Sequence, residues 1–595
     1  MNTANIGGAE HLMLQVVRQL HSDNVPVVVI AGAPGIIFYQ MVDIAETYVY
    51  AHPSEQILKE ALKDCTTVIN NNWFSLNPIL KNILPQIGCK YMQAIHGPFV
   101  PYLQRAAESD SFVDEYLSFS PLGSQILCER FGVSARKIRN RIIPVEKAGS
   151  IVTPENKYFA RNMLRIPQDA IVVGMISRIS AEKGILDALD IYEAYHKKQP
   201  KAAFVILGGD PSGNSRYNQI VEARIQLLRS KGCVVYKTGC LDPAAVDALR
   251  YAFDIAINTS QTEGMNLAVS ELLSAGIPVL FPDFPDLGMG TNFDAMYREN
   301  FAIPVRHRNE TSGEQRMTND EKANYVHRLD EIVMKTPVHP HDKEQVLADI
   351  CEAILDGPYI MTLMYNTPID WLREMTASIL NQNFKCYRWV IVDDGNTNPE
   401  LLAHLEELAA DDRVTILRHD TNKNIREAQN TALRHIYKHE RRMMMIFDSD
   451  DIARPDLVGS QFRSILNSFA TVLGVQIRFF GNQTRTTSHP AKITADMVRK
   501  NEIYPYWFMN NPGVAIWLGD IGERYYPEVA IPASSDFAMW IDLLRDGFVL
   551  HNRPDVLVDY RWMGKNSNDR LTQEEKNMRM AHLELIKNKL YENQN

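Results

Sequence analysis

Two groups of carboxylates, far apart in the chain, have the residue types for handling a nucleotide diphosphate. Glu263-Gly264 is followed by Glu271 at the front of a predicted helix. A helix N-terminus exposes unpaired backbone N–H groups and carries about half a positive charge, so it seats phosphate well. Gly264 lets the backbone come close to a ligand. Glu263 lies at the mouth, and Glu271, two turns in, can accept hydrogen bonds from ribose hydroxyls. Arg178 and Lys183 follow a buried strand, and two cations there neutralise a departing diphosphate. Gly7-Gly8-Ala9-Glu10 opens another helix, a further turn able to face phosphate or acceptor.

The second group is Asp448-Ser449-Asp450-Asp451, directly after the apolar run 443–447. Carboxylates this close repel one another unless a cation is bound. Mg²⁺ or Mn²⁺ suits them, held by one or two carboxylates plus substrate phosphates; Asp448 and Asp450 are the candidate ligands. A plain cap or a calcium-type turn is the blander reading. Asp393-Asp394-Gly395 ends an earlier strand, and Asn422, Ala428 and Asn430 precede the acidic turn. Asp536 begins an apolar helix and shares a face with Trp540, four residues on. It is either a helix cap or a general base for an acceptor hydroxyl. An aromatic in Trp507–Gly513 either stacks on a sugar face or packs in the core.

The elements that must position these groups are α/β. Up to about residue 305, nearly continuous apolar runs (25–30, 170–176, 203–207, 277–280) alternate with helical periods. Such runs predict parallel sheets covered on both faces, two of them, meeting near residue 150. Residues 307–357 read as a connector with helices near 319–335 and 342–355, split by the breaker at 336–340. A fresh α/β unit starts at Pro358 and takes in the strand 389–392.

At 595 residues the chain exceeds one core; about 100–200 residues per domain is usual. A net charge of −10 argues against nucleic acid. The basic run Arg130, Arg136, Lys137, Arg139, Arg141 is either a solvated face or a contact for an anionic membrane surface. Seven cysteines without close pairs fit a reducing compartment. No stretch reaches the roughly 18 apolar residues of a membrane span, and no secretion signal opens the chain. The expected location is the cytoplasm, with peripheral contact at the inner face of the membrane as a further option.

Residues 1–305 resemble the retaining family 4 glycosyltransferases of the GT-B fold. The resemblance runs through Gly7–Glu10, Ile95-His96-Gly97, Arg178 with Glu182-Lys183-Gly184, and Glu263 through Glu271 to Val279. It implies two Rossmann-like domains, 1–150 on the acceptor side and 151–306 on the donor side. It places Glu263 at the donor sugar, Glu271 on the ribose, Arg178 and Lys183 on the diphosphate, Gly8 at the nucleotide-sugar, and His96 near sugar and acceptor. A core histidine is the alternative for His96. No metal is expected in this half. Ser177 stands where the family has glycine, and Thr259-Ser260 where it has Pro-Ser. Met1 precedes Gly7 by so little that, on this resemblance, the fold's first strand is expected to be absent from the sequence.

Residues 358–562, within a domain drawn as 358–595, resemble the inverting family 2 glycosyltransferases of the GT-A fold, through Tyr365-Asn366, Asp393–Gly395, Asn422–Asn430, Asp448–Asp451, Asp536 with Trp540, and Tyr560-Arg561. The resemblance implies that Asp393 and Asp394 contact the nucleotide, Asp448 and Asp450 hold Mn²⁺ or Mg²⁺, and Asp536 is the base. Asn424 stands for a usual glycine, Ser535 for a glutamate, and Met563 for a histidine. Together the halves imply a bifunctional glycosyltransferase using nucleotide-diphospho-sugars, with UDP-sugars favoured for the second domain. Its acceptor would be a growing or lipid-linked glycan, as in bacterial surface polysaccharide synthesis. The alternative keeps only the C-terminal enzyme, with the N-terminal half as an acceptor-binding or docking module.

Overall fold

The computed structural model describes residues 8–145, 152–210, 215–261, 263, 267–283, 302–303, 316–332, 343–439, 443–482, 484–563 and 572–591. They fall into two compact units. One comprises Met1–His52, Asn70–Ser75 and Gln93–Ala353; the other comprises Pro53–Ile69, Leu76–Met92 and Ile354–Asn595.

In the first unit a six-stranded parallel sheet runs in the order Ala302–Ile303, Val279–Pro282, Ile255–Ile257, Ile171–Ile176, Ala202–Leu207, Val234–Lys237. Strand 202–207 is buried throughout. That burial explains its unbroken apolar run: both faces meet helices, so no polar alternation survives. The chain leaves strand 171–176 on one side of the sheet's centre and strand 255–257 on the other. Their carboxyl ends therefore flank a topological switch point, where open α/β sheets bind ligands. Strands Val28–Ala31 and Glu46–Val49 form a separate two-stranded parallel sheet. The predicted helices of the connector are present as Asn319–Ile332 and Lys343–Leu355; the breaker between them and the loop at 308–314 lie outside the described residues.

The second unit is built on a nine-stranded sheet. Its order is Val414–Arg418, Arg388–Asp393, Tyr359–Met364, Met443–Ile446, Ala515–Trp517, Val472–Gly481, Leu550–Trp562, Ile452–Ala453, with Lys492–Ile493 also paired to Leu550–Trp562. The first four are parallel, and Ala515–Trp517 runs antiparallel to its neighbours. Strand 443–446 shows why an all-apolar run was needed. Met443 and Met445 enter one hydrophobic core, while Met444 and Ile446 enter the other, as the two-residue side-chain period requires. The switch point here lies between strands 359–364 and 443–446, and it delivers Asp448 to the crevice.

Candidate functional site

At the switch point of the first unit two loops follow neighbouring strands. After strand 171–176 come Arg178 and a short 3₁₀ turn, Ala181–Lys183. After strand 255–257 come Asn258, Thr259, Ser260 and Glu263. Thr259 ties the loops together, its hydroxyl donating to the Gly184 carbonyl at 2.9 Å. Glu263 is the hub. Lys183 Nζ lies 2.8 and 2.9 Å from its two oxygens, and the Ser260 hydroxyl donates at 2.5 Å. Arg178 pairs with Glu182 at 3.1 Å. Both predicted diphosphate cations thus have carboxylate partners in this state.

Glu271 sits within the helix Leu267–Ser274; its charge is felt by Arg250. Gly264 lies outside the described residues. Gly8 begins the helix Gly8–Ser22, and Glu10 on its first turn feels the charge of Arg178. Burial raises the Glu10 pKa, and the Arg178 charge acts against that rise. His96 follows strand Lys90–Ile95 and is buried. It hydrogen-bonds Asn71 and stacks on Phe119 at 5.8 Å. Desolvation pushes its pKa down to about 4, so the ring is neutral at ordinary pH.

The basic run takes a different form from the one expected. Lys137 and Arg139 are buried. Lys137 pairs with Asp110 at 3.1 Å and Arg139 with Glu115 at 3.2 Å, and Arg141 donates to the Asp349 carbonyl at 3.1 Å. Taking two charges out of water requires such partners, so these cations are not one exposed patch.

In the second unit, Asp393 and Asp394 stand at the carboxyl end of strand 388–393, both buried. Asp393 accepts from Arg418 Nε at 2.9 Å and from the Asn396 backbone at 2.9 Å. Asp394 accepts from the Lys423 backbone at 2.8 Å and bonds His419 Nδ1 at 2.7 Å. Gly395 has φ +80°, and a Cβ there would lie 2.5 Å from the Asn422 nitrogen. Asn424, where a glycine was usual, adopts φ +75° and caps the helix Ile425–Ile436. Its ψ of 163° puts it in a region that glycine alone enters without strain, so the substitution keeps the turn at a conformational cost.

Across the switch point the acidic turn is tied to strand Leu550–Trp562. The Arg561 backbone donates to Asp451 at 2.8 Å, and its Nε donates to the Asp450 carbonyl at 2.8 Å. Burial, with Asp450 and Asp536 close by, pushes Asp448 up to about 8. Burial also raises Asp450, and Asp451 well above its usual range. Among the described residues no group of three or more His, Cys, Asp or Glu gathers as a metal site. Two hard carboxylates that hold each other's charge down fit a divalent cation that completes its shell from substrate phosphate and water.

Asp536 lies in the first turn of the helix Ser535–Arg545 and is 8% exposed. Gln429 Nε2 and Asn511 Nδ2 each donate to it at 2.6 Å. Ser535, in place of the expected glutamate, donates its hydroxyl to Gln429 Oε1 at 2.7 Å. That bond fixes which end of the amide faces Asp536. Desolvation raises Asp536 to about 6, against the pull of the two amides. Asp448, Asp536 and Trp540 line one cavity of about 620 Å³. Trp507 also lines it and is 39% exposed, while Phe508 and Met509 are buried. Sequence reasoning missed Gln429, His419 and Arg418; only their positions beside named motifs hinted at them.

Carboxylates thus stand at the switch points of two separate α/β sheets. Residues 156–286 match the family described as glycosyl transferases group 1, and residues 359–516 match glycosyl transferase family 2. The chain is a glycosyltransferase that carries the two domain types, GT-B then GT-A, in tandem. It is similar to an uncharacterized glycosyltransferase of Methanocaldococcus jannaschii, 24% identical over 214 residues, 35% of this chain and 72% of the relative. It is also similar to the putative teichuronic acid biosynthesis glycosyltransferase TuaG of Bacillus subtilis, 25% identical over 209 residues, 34% of this chain and 77% of the relative. A solved structure from Anabaena, HepE in complex with UDP and glucose, covers 59% of this chain and 97% of its own, with TM-score 0.45 and 15% identity. Among the described residues no helix is long and apolar enough to cross a membrane.

Proposed function

We propose that the chain is bifunctional and adds two sugars, from nucleotide-diphospho-sugar donors, to a growing glycan. In the C-terminal domain Asp393 and Asp394 seat the nucleotide. Asp536 takes the proton from the acceptor hydroxyl; that oxygen attacks the anomeric carbon while the bond to the diphosphate breaks, inverting the centre. Asp448 and Asp450 would hold Mn²⁺ or Mg²⁺, which supplies charge neutralisation to the leaving diphosphate. The observation that carries this reading is Asp536 itself. It is a buried carboxylate raised towards neutrality and aimed by two amides, and it opens on the same cavity as Asp448. A pKa near the working pH is what a general base needs.

In the N-terminal half, Lys183 and Arg178 would take the diphosphate, Glu263 the donor sugar, Glu271 the ribose, and the helix start at Gly8 the nucleotide-sugar. His96, neutral, would face sugar and acceptor. This transfer would proceed with retention. Supporting it is the convergence of Lys183, Glu263 and Ser260 at a switch point. A second reading makes this half an acceptor-binding or docking module. The pairing of both cations with carboxylates favours it, since a donor must displace those partners. A panel of UDP-, GDP- and dTDP-sugars, assayed for nucleoside diphosphate release with and without EDTA, tests the proposal. Two activities, one of them EDTA-resistant, are expected; a single EDTA-sensitive activity leaves the second reading.

A further inference from the structure

Tyr325 lies fully buried on the helix Asn319–Ile332. With Val326 and Leu329 it joins the hydrophobic core around the six-stranded sheet, and for that packing a phenylalanine would serve. A buried hydroxyl is costly unless it is bonded. This one donates to the Asn258 carbonyl at 2.7 Å. Asn258 is the first residue after strand 255–257, and its own N–H still donates to Leu280 of the next strand at 2.7 Å. Its side chain turns to the Glu263 loop. Asn258 Oδ1 accepts from the Ser260 backbone at 2.9 Å, and Nδ2 lies 3.4 Å from Glu263 Oε1. The Ser260 hydroxyl meets that same carboxylate oxygen. Asn258 thus connects Tyr325 to Glu263.

The segment before and within this helix also holds the other loop of the site. Asp187, fully buried in the first turn of the helix Ile185–Lys198, comes just after Lys183-Gly184. Arg316 Nε donates to it at 2.7 Å and the Met317 backbone at 3.1 Å, with Lys322 Nζ 3.0 Å away. A carboxylate taken out of water needs such partners. The two loops are bonded to each other as well, the Gln261 N–H donating to the Glu182 carbonyl at 2.8 Å. Residues 316–332 therefore grip both of the loops that bring Lys183 to Glu263.

We infer that residues 316–332 are a working part of the N-terminal site and that Tyr325 is a positioning residue for Glu263, acting through Asn258. This rests on reading Glu263 as the residue at the donor sugar. Without the hydroxyl the Asn258 carbonyl loses its partner and the loop carrying Glu263 loses an anchor. A misplacement of about 1 Å at a reacting centre can cost on the order of a hundredfold in rate.

The test is hydrogen exchange, read by mass spectrometry on the full chain without ligand. Tyr325→Phe should speed exchange at the Ser260 and Gln261 amides about tenfold. Leu329→Ala, which removes packing from the same helix and keeps the hydroxyl, should speed those two amides less. Unchanged exchange at Ser260 and Gln261 in Tyr325→Phe would overturn the inference, as would an equal or larger effect from Leu329→Ala. Arg316→Gln, at a side chain 38% exposed, tests the other grip. The Gly184 amide, which donates to the Ala181 carbonyl at 3.0 Å, should then exchange several-fold faster; no change there would also count against the inference. Nucleoside diphosphate release in EDTA, with the donor panel above, is measured on the same samples. For Tyr325→Phe kcat should fall about tenfold or more with KM within about threefold, the split expected of a misplaced group rather than of lost binding. Lower stability with kcat unchanged would make Tyr325 structural only. Wild type without EDTA-resistant release sinks the reading of Glu263, while the exchange data decide the place of Tyr325 separately.

Discussion

Replacing Asp536 by Asn separates a catalytic carboxylate from a structural one, because the two roles predict opposite effects on stability. The wild-type side chain is buried, with a pKa of about 6 against an ordinary 3.8. A raised folded-state pKa means that the native protein binds the proton more tightly than the unfolded chain. Its contribution is fully present below pH 3.8 and is lost as pH rises through 6. Two units at about 1.4 kcal/mol each give a cost on the order of 3 kcal/mol at pH 8. Asn is uncharged and close in shape, so it escapes that cost. It still accepts from one of Gln429 and Asn511, and the other amide must turn. Asp536→Asn is therefore expected to be at least as stable as wild type at pH 8, with the difference closing by pH 4. Activity should move the other way. Losing a general base costs about 10²–10⁴-fold, or roughly 3–5 kcal/mol of barrier. Urea midpoints at pH 8 and pH 4, beside acceptor-dependent release of nucleoside diphosphate, give both numbers. In wild type the rate should fall below about pH 6, or lower once a divalent cation favours the charged form. A variant that keeps more than about a tenth of the activity, or unfolds more easily at pH 8, would refute the reasoning.

Chelation by EDTA, or Asp450→Ala, should abolish the C-terminal transfer, with Mn²⁺ or Mg²⁺ restoring it only in wild type; product analysis by mass spectrometry checks this. Gly395→Ala should cost about 1–3 kcal/mol, because its φ is +80° and a Cβ meets backbone at 2.5 Å; thermal unfolding reads the loss. Asn424→Gly should raise stability by about 1–2 kcal/mol, since φ +75° with ψ 163° strains any residue but glycine by about 1–3 kcal/mol and losing the cap to Glu427 returns only a few tenths; an unchanged or lower Tm would contradict this.

Strands that are buried on both faces were the most legible part of the chain. The runs at 171–176, 202–207 and 443–446 leave no alternation, and they lie centrally in their sheets. The acidic turn at 448–451 and Asp536 stood out for the same reason that they are costly: carboxylates beside apolar runs. What the sequence hid was partnership. Nothing near Lys137 or Arg139 announced Asp110 and Glu115, which lie more than twenty residues earlier and meet them only through folding. Gln429 reads as a helix residue until Ser535 and Asp536, 106 and 107 residues further along the chain, close on it. The pairing of Lys183 with Glu263 depends on two loops that only the parallel sheet brings together.

The central claim is that two independent transfer sites share one chain. Structural analysis of the glycan products by NMR, from wild type, Glu263→Ala and Asp450→Ala, tests it most directly. The account predicts that Glu263→Ala loses the retained linkage alone and Asp450→Ala the inverted linkage alone. Loss of both linkages from Asp450→Ala, with unfolding behaviour unchanged, would contradict it.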